Sequence, residues 1–174
     1  MRNNIKGFTL IEMMVTAIIL GIVMAIAVPS FVDFIGNTRI RTIAESLRSG
    51  LQLARAEAVK RNAIVVFTLN ADTSWNIGCA IVTATCPASI QAKSAAEGSS
   101  DSITLTMVGN NAVRFTSLGT VDPSVVGQLT QVDIDHSDLD VNVSKDLRVT
   151  IGVGGNVRMC DPNVSVSTDA RFCS

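Results

Sequence analysis

From Phe8 to Val28 the chain runs for 21 residues with a single ionisable side chain, Glu12. As an α-helix, such a run spans about 30 Å, the thickness of a bilayer's hydrocarbon core. Arg2 and Lys6 precede it. The positive-inside rule therefore places the start of the chain in the cytoplasm and its C-terminal bulk across the membrane. A carboxylate at lipid depth costs about 2.5–3.5 kcal/mol, so Glu12 calls for a partner unless its position near the helix start lets it reach the headgroups. A secretory signal peptide is the competing reading, because Ala25-Ile26-Ala27 has the form of a cleavage site. Glu12 near the start of the run speaks against it, as does helical periodicity that continues past Pro29.

Ala17, Gly21 and Ala25 recur every four residues, a small-residue stripe that allows close helix approach. Pro29 removes one helical hydrogen bond, which predicts a kink. Beyond it Ile40, Ile43, Leu47, Leu51, Ala54 and Ala58 step by three or four, the mark of an amphipathic helix ending near Asn62. Its other positions are basic: Arg39, Arg41, Arg48, Arg55, Lys60 and Arg61 face only Glu45 and Glu57. Unbroken, residues 8–61 would make a helix of about 80 Å.

Residues 62–174 read as a β-rich head. Strands are expected over Ala63–Leu69, Trp75–Thr83, Ser102–Val108, Ala112–Thr116 and Leu147–Val153, separated by clusters of Gly, Asn, Asp and Ser. The Ala- and Ser-rich residues 86–101 are expected to form a loop. The fold class is α+β, a long helix whose second half covers an antiparallel sheet. Four segments follow: 1–7, the apolar helix 8–28, the amphipathic helix 29–61 and the head 62–174.

Cys79, Cys86, Cys160 and Cys173 all fall in the exported part, where an even count predicts two disulfides. Of the three connectivities, Cys79–Cys86 with Cys160–Cys173 closes the shortest loops. Zinc is disfavoured, since no CxxC occurs and the one histidine, His136, lies elsewhere. Asp133, Asp135, His136, Asp138 and Asp140 crowd eight residues. Calcium is one reading, but their alternation with Val, Ile and Leu more simply gives the solvent face of an edge strand or hairpin. With one histidine, no tyrosine and no phosphate loop, neither an enzyme nor a cofactor is expected.

Gly7-Phe8-Thr9-Leu10-Ile11-Glu12 resembles the type IV pilin signature without a mismatch. The resemblance implies a seven-residue leader cut between Gly7 and Phe8 by a prepilin peptidase, and N-methylation of Phe8. The mature chain would keep 167 of 174 residues. It further implies that Glu12 pairs with the N-terminal amine of a neighbouring subunit. Leu51-Gln52-Leu53-Ala54-Arg55-Ala56-Glu57-Ala58-Val59-Lys60-Arg61-Asn62, with Ser74-Trp75 and Gly155-Asn156-Val157-Arg158-Met159-Cys160-Asp161-Pro162, is similar to the GspH/FimT/FimU group of pilin-like proteins.

That group implies a minor pilin working in pilus priming or at the tip, a pseudopilin of type II secretion, or a DNA-binding pilin of transformation. Its partners would be other major and minor pilins and the inner-membrane assembly machinery. The protein would sit in the inner membrane, head in the periplasm, and on the pilus after assembly. For DNA the candidate contacts are Arg148, Arg158 and Arg171. Asn156 stands where the DNA-binding tail has its first arginine, and the head holds six Lys/Arg against eleven Asp/Glu. An acidic head is a poor field for phosphate. The expectation is therefore a minor pilin.

Overall fold

The computed structural model describes residues 8–95 and 102–173. One helix, α1 (Leu10–Arg61), opens the chain. It crosses from one compact unit, which ends at Ile35, into a second that begins at Gly36. The division falls inside α1, because the amphipathic half of the helix shares the core of the head. In the first unit every described side chain from Phe8 to Val28 faces outward. The stretch is apolar and long enough to cross a membrane. α1 continues through position 29, so the proline does not end the helix.

In the second unit Ile40, Ile43, Leu47, Leu51, Ala54 and Ala58 are all at most 1% exposed, on the face given by their spacing. The helix ends in a Schellman motif. Asn62 takes a left-handed φ of 50°. The Ala63 amide donates to Ala58 O at 3.1 Å, and the Asn62 amide to Val59 O at 3.2 Å.

Eight strands follow: β1 (Val65–Leu69), β2 (Trp75–Cys79), β3 (Gln91–Lys93), β4 (Ile103–Val108), β5 (Ala112–Phe115), β6 (Gln131–His136), β7 (Leu147–Ile151) and β8 (Val157–Cys160). They form two four-stranded sheets, ordered β3-β2-β1-β5 and β4-β6-β7-β8. Every pairing is antiparallel. Alternate residues of β1 are buried, as expected of a sheet with one face on a core. That core joins the helix face to Phe67, Trp75, Ile77, Phe115, Leu129, Ile134 and Val149. Gly50 lets the helix approach closely, since a Cβ there would stand 2.9 Å from the Phe67 ring. The Trp75 indole packs on that ring at 5.7 Å between centroids and donates to Ser46 Oγ at 3.2 Å.

Several expected boundaries move. The strand begun at Trp75 stops at Cys79 because Cys79–Cys86 closes a turn, with Thr83 bridged to Cys86. The strand begun at Leu147 stops at Ile151, where Gly152–Asn156 turns the chain. β3 lies inside the expected loop 86–101, of which residues 96–101 fall outside the described residues. β6 carries the Asp alternation but is an interior strand, paired on both sides, not an edge.

Candidate assembly site

Thr9 precedes α1, and its Oγ1 accepts from the Glu12 amide at 3.3 Å. Thr-x-x-Glu at a helix start is a capping box, so Glu12 stands where the positive end of the helix dipole favours a carboxylate. The Glu12 carboxylate has no ion-pair partner among the described residues. Phe8 is 77% exposed. Gly7, the expected cleavage position, lies outside the described residues. Ala17, Gly21 and Ala25 all face outward, and a Cβ at Gly21 would meet nothing within 4 Å. The first part of α1 is thus an apolar helix with an open small-residue stripe and a carboxylate near its start.

The head holds the second half of α1 at both ends. At one end Asn37 Nδ2 donates to Val143 O at 3.1 Å, and its Oδ1 accepts from the Lys145 amide at 2.8 Å. At the other, Arg55 Nε donates to Gly119 O at 2.9 Å and Arg61 Nη1 donates to Thr85 O at 2.5 Å. Glu57, largely buried, takes Arg61 at 2.6 Å and Lys60 at 3.1 Å. The Arg61 hydrogen bond, then that of Lys60, holds the Glu57 carboxyl below the usual carboxylate range.

The four cysteines pair as Cys79–Cys86 and Cys160–Cys173. The second bond joins the end of β8 to the C-terminal tail, which also returns through Asp161 N to Arg171 O at 2.8 Å.

The three candidate DNA-contacting arginines do not form one open patch. Arg148 is held bidentate by Asp133 across the β6–β7 ladder, at 2.6 and 2.9 Å, and Asp133 holds its pKa above the usual value. Arg171 pairs with Asp169 at 2.9 Å in the tail. Arg158 is exposed on β8, and shares the outer face of its sheet with Arg148.

The Asp133–Asp140 cluster is likewise dispersed. Asp133 and Asp135 alternate with buried Ile134 and His136 along β6. Asp138 accepts from Ser102 and Ser137, and Asp140 from Asn142. Among the described residues no three His, Cys, Asp or Glu side chains gather as a metal site would require.

Sequence reasoning passed over Asp146, which meets Asp135 through Ser144 Oγ, 2.6 Å from Asp146 and 3.2 Å from Asp135. Burial pushes the Asp146 carboxyl up, and the Asp135 charge adds to that rise. Only the folded loop brings the pair together. It also passed over Asn37, which looks like any polar residue on an exposed helix face.

An outward-facing apolar helix continued into a helix that caps antiparallel sheets defines a pilin-type subunit. The family model described as Type II transport protein GspH matches residues 44–155, and the prokaryotic N-terminal methylation motif matches residues 2–28. The chain belongs to the GspH family.

Among solved structures, the type IV minor pilin FimU of Pseudomonas aeruginosa aligns with a TM-score of 0.53 at 19% identity, over 75% of this chain and 97% of that one. The minor pseudopilin EpsH of the Vibrio cholerae type 2 secretion system aligns at 0.53 and 16%, over 72% and 99%. These share the fold. In sequence, a fimbrial protein of Pseudomonas aeruginosa is 39% identical over 74 residues, 42% of this chain and 47% of its own length. A type IV major alpha-pilin of Moraxella bovis is 33% identical over 76 residues, 44% and 48%. The chain thus matches about half the length of these relatives.

Proposed function

We propose that this protein is a minor pilin that takes part in type IV pilus assembly, in the priming or tip complex. The observation that carries the reading is the helix from Phe8 to Val28, every described side chain of which faces outward. Twenty-one residues of that composition are unstable in water and need lipid or other helices around them. Lipid would hold the subunit before assembly, with the head periplasmic, and neighbouring pilin helices would hold it afterwards.

In this reading the prepilin peptidase cuts after Gly7 and Phe8 is methylated. Glu12 then pairs with the N-terminal amine of a neighbour while the pilus machinery extracts the subunit. Ala17, Gly21 and Ala25 admit adjacent helices, and Pro29 loosens α1 where apolar anchor gives way to amphipathic helix. Other pilins, major and minor, are the partners.

A second reading, a pseudopilin of type II secretion, is favoured by the description of the matching family and by the equal TM-score of EpsH. Sheared surface pilin from a strain lacking the gene, compared with its parent and a complemented strain, separates them. Loss of pili restored by complementation is expected; normal piliation with failed protein secretion would overturn the proposal in favour of the pseudopilin. Glu12→Ala should insert, be processed and fail to enter filaments. Incorporation at the parental level would remove the charge-pairing role.

A further inference from the structure

Two four-stranded sheets present four edges, β3, β5, β4 and β8, and three of them are guarded. β5 is covered by the chain that follows it. The Asp122 amide donates to Arg114 O and the Leu129 amide to Ala112 O, both at 2.9 Å, and the Arg114 amide donates to Gln128 Oε1 at 2.6 Å. β8 has four residues, carries Arg158 and runs into the tail that Cys160–Cys173 ties back. β3 has three residues and ends in Lys93. Short strands, charge and a covering segment are the usual guards of a sheet edge.

β4 has none of them. Ile103-Thr104-Leu105-Thr106-Met107-Val108 is six residues without charge, glycine or proline. It pairs with β6 alone. The Ser137 amide donates to Ser102 O at 2.8 Å, so Ser102, Thr104 and Thr106 turn their backbone groups toward β6. The N–H and C=O groups of Ile103, Leu105 and Met107 therefore point outward, and among the described residues they have no partner.

The side chains define the strand that fits. Leu105 and Met107 pack on the core yet are only half-buried, whereas Ile134 and Val132 opposite them on β6 are at most 1% exposed. Aliphatic side chains on that face of an added strand would complete the cover. On the other face Thr104 and Thr106 stand opposite Asp135 and Asp133. Asp133 is paired with Arg148, but Asp135 meets Asp146 through Ser144 and makes no ion pair with Lys or Arg among the described residues. A cation on that face of the added strand would balance the charge.

We infer that the β4 edge binds an extended segment of a different protein, added antiparallel to β4 as a further strand. Its core-facing side chains are branched aliphatics and its outer ones are basic. The β4 of a second copy does not fit, because its outer face carries threonines opposite aspartates. The site lies wholly in the head and does not depend on how α1 assembles.

The probe is the peptide Thr-Val-Lys-Val-Lys-Val-Thr, amidated and carrying an N-terminal fluorophore, added to the full chain in neutral detergent. Anisotropy reads binding, and residue-resolved amide exchange reads its place. Saturable binding is expected, with the Ile103, Leu105 and Met107 amides slowed about tenfold or more. The Thr104 and Thr106 amides, already bonded to β6, should be unchanged. N-methylation of the peptide's valines, whose amides face β4 in this register, should weaken binding about tenfold or more. The same methyl groups on its lysines, whose amides face away, should leave binding intact. Glutamates in place of the lysines should weaken it about tenfold.

No saturable binding, protection that does not alternate along β4, equal affinity of the two methylated peptides or equal binding of the glutamate peptide would each overturn the site. So would Ile103, Leu105 and Met107 amides protected without peptide, since this chain or a second copy would then cover the edge. Each of these results leaves the assembly reading of α1 standing.

Discussion

Replacing Cys160 and Cys173 by serine together tests how the tail is held. The bond closes a loop of 13 residues in sequence separation. Loop-closure entropy for that length gives about 3 kcal/mol of stabilisation, acting on the unfolded chain. Cys160 lies at the outer-face end of β8, opposite Arg148, whereas the core-facing partners are Val149 and Met159. The double substitution should therefore leave the core intact while the tail loses its anchor. What remains is the Asp161–Arg171 backbone bond and the Asp161–Phe172 bridge.

Urea unfolding of the full chain in detergent, followed by Trp75 fluorescence, reads the difference. With a slope of about 2 kcal/mol per molar urea, the midpoint should fall by about 1.5 M. Limited trypsin digestion should release the segment after Arg171 from the folded variant sooner than from the parent. A midpoint shift below about 0.5 M would refute the loop-closure account, because the tail would then be held by its backbone bonds and not by the disulfide.

Two further outcomes follow from the packing of α1. Gly50→Val drives a side chain into the Phe67 and Trp75 rings and should cost about 1–3 kcal/mol, read as a lowered melting temperature with a red-shifted emission from the one tryptophan; a melt at or above the parental one would contradict the close approach. Glu57→Gln should lose about 1–2 kcal/mol at neutral pH. Since Arg61 and Lys60 lower the folded-state pKa of Glu57, the stabilisation is complete above the ordinary glutamate range and drains as pH falls through the lower folded value. Parent and variant melts should converge on acidification, and a gap that widened toward low pH would reverse the sign of the argument.

The helix was legible in the sequence because its signals are local. Composition marks the apolar stretch, and a step of three or four residues marks the buried face from Ile40 to Ala58. Asn62 ends the helix by accepting a left-handed φ, as asparagine does more readily than most residues. Strands with continuous β-branched runs were also legible, but their ends were not. Cys79 ends β2 through a bond to a residue outside the strand.

β3 has three residues, Gln91-Ala92-Lys93, with no apolar alternation, and is a strand because β2 offers it an edge. β8 hides in a stretch whose arginine and cysteine look like motif residues, not strand residues. The pairing of Arg148 with Asp133, 15 residues away, is a matter of ladder register. Register follows from the assembled sheet, so the sequence showed three arginines without showing that the fold pairs Arg148 with Asp133 and Arg171 with Asp169. The open face of Ala17, Gly21 and Ala25 was legible as a stripe; that nothing among the described residues covers it came from the fold.

The central claim is that the outward-facing helix is the assembly element of a processed pilin. Sheared filaments, separated from membranes and examined by intact-mass and N-terminal peptide analysis, test it most directly. The account predicts this chain in the filament fraction, beginning at Phe8 with one added methyl group. A chain confined to the membrane fraction with Gly7 still attached would contradict it.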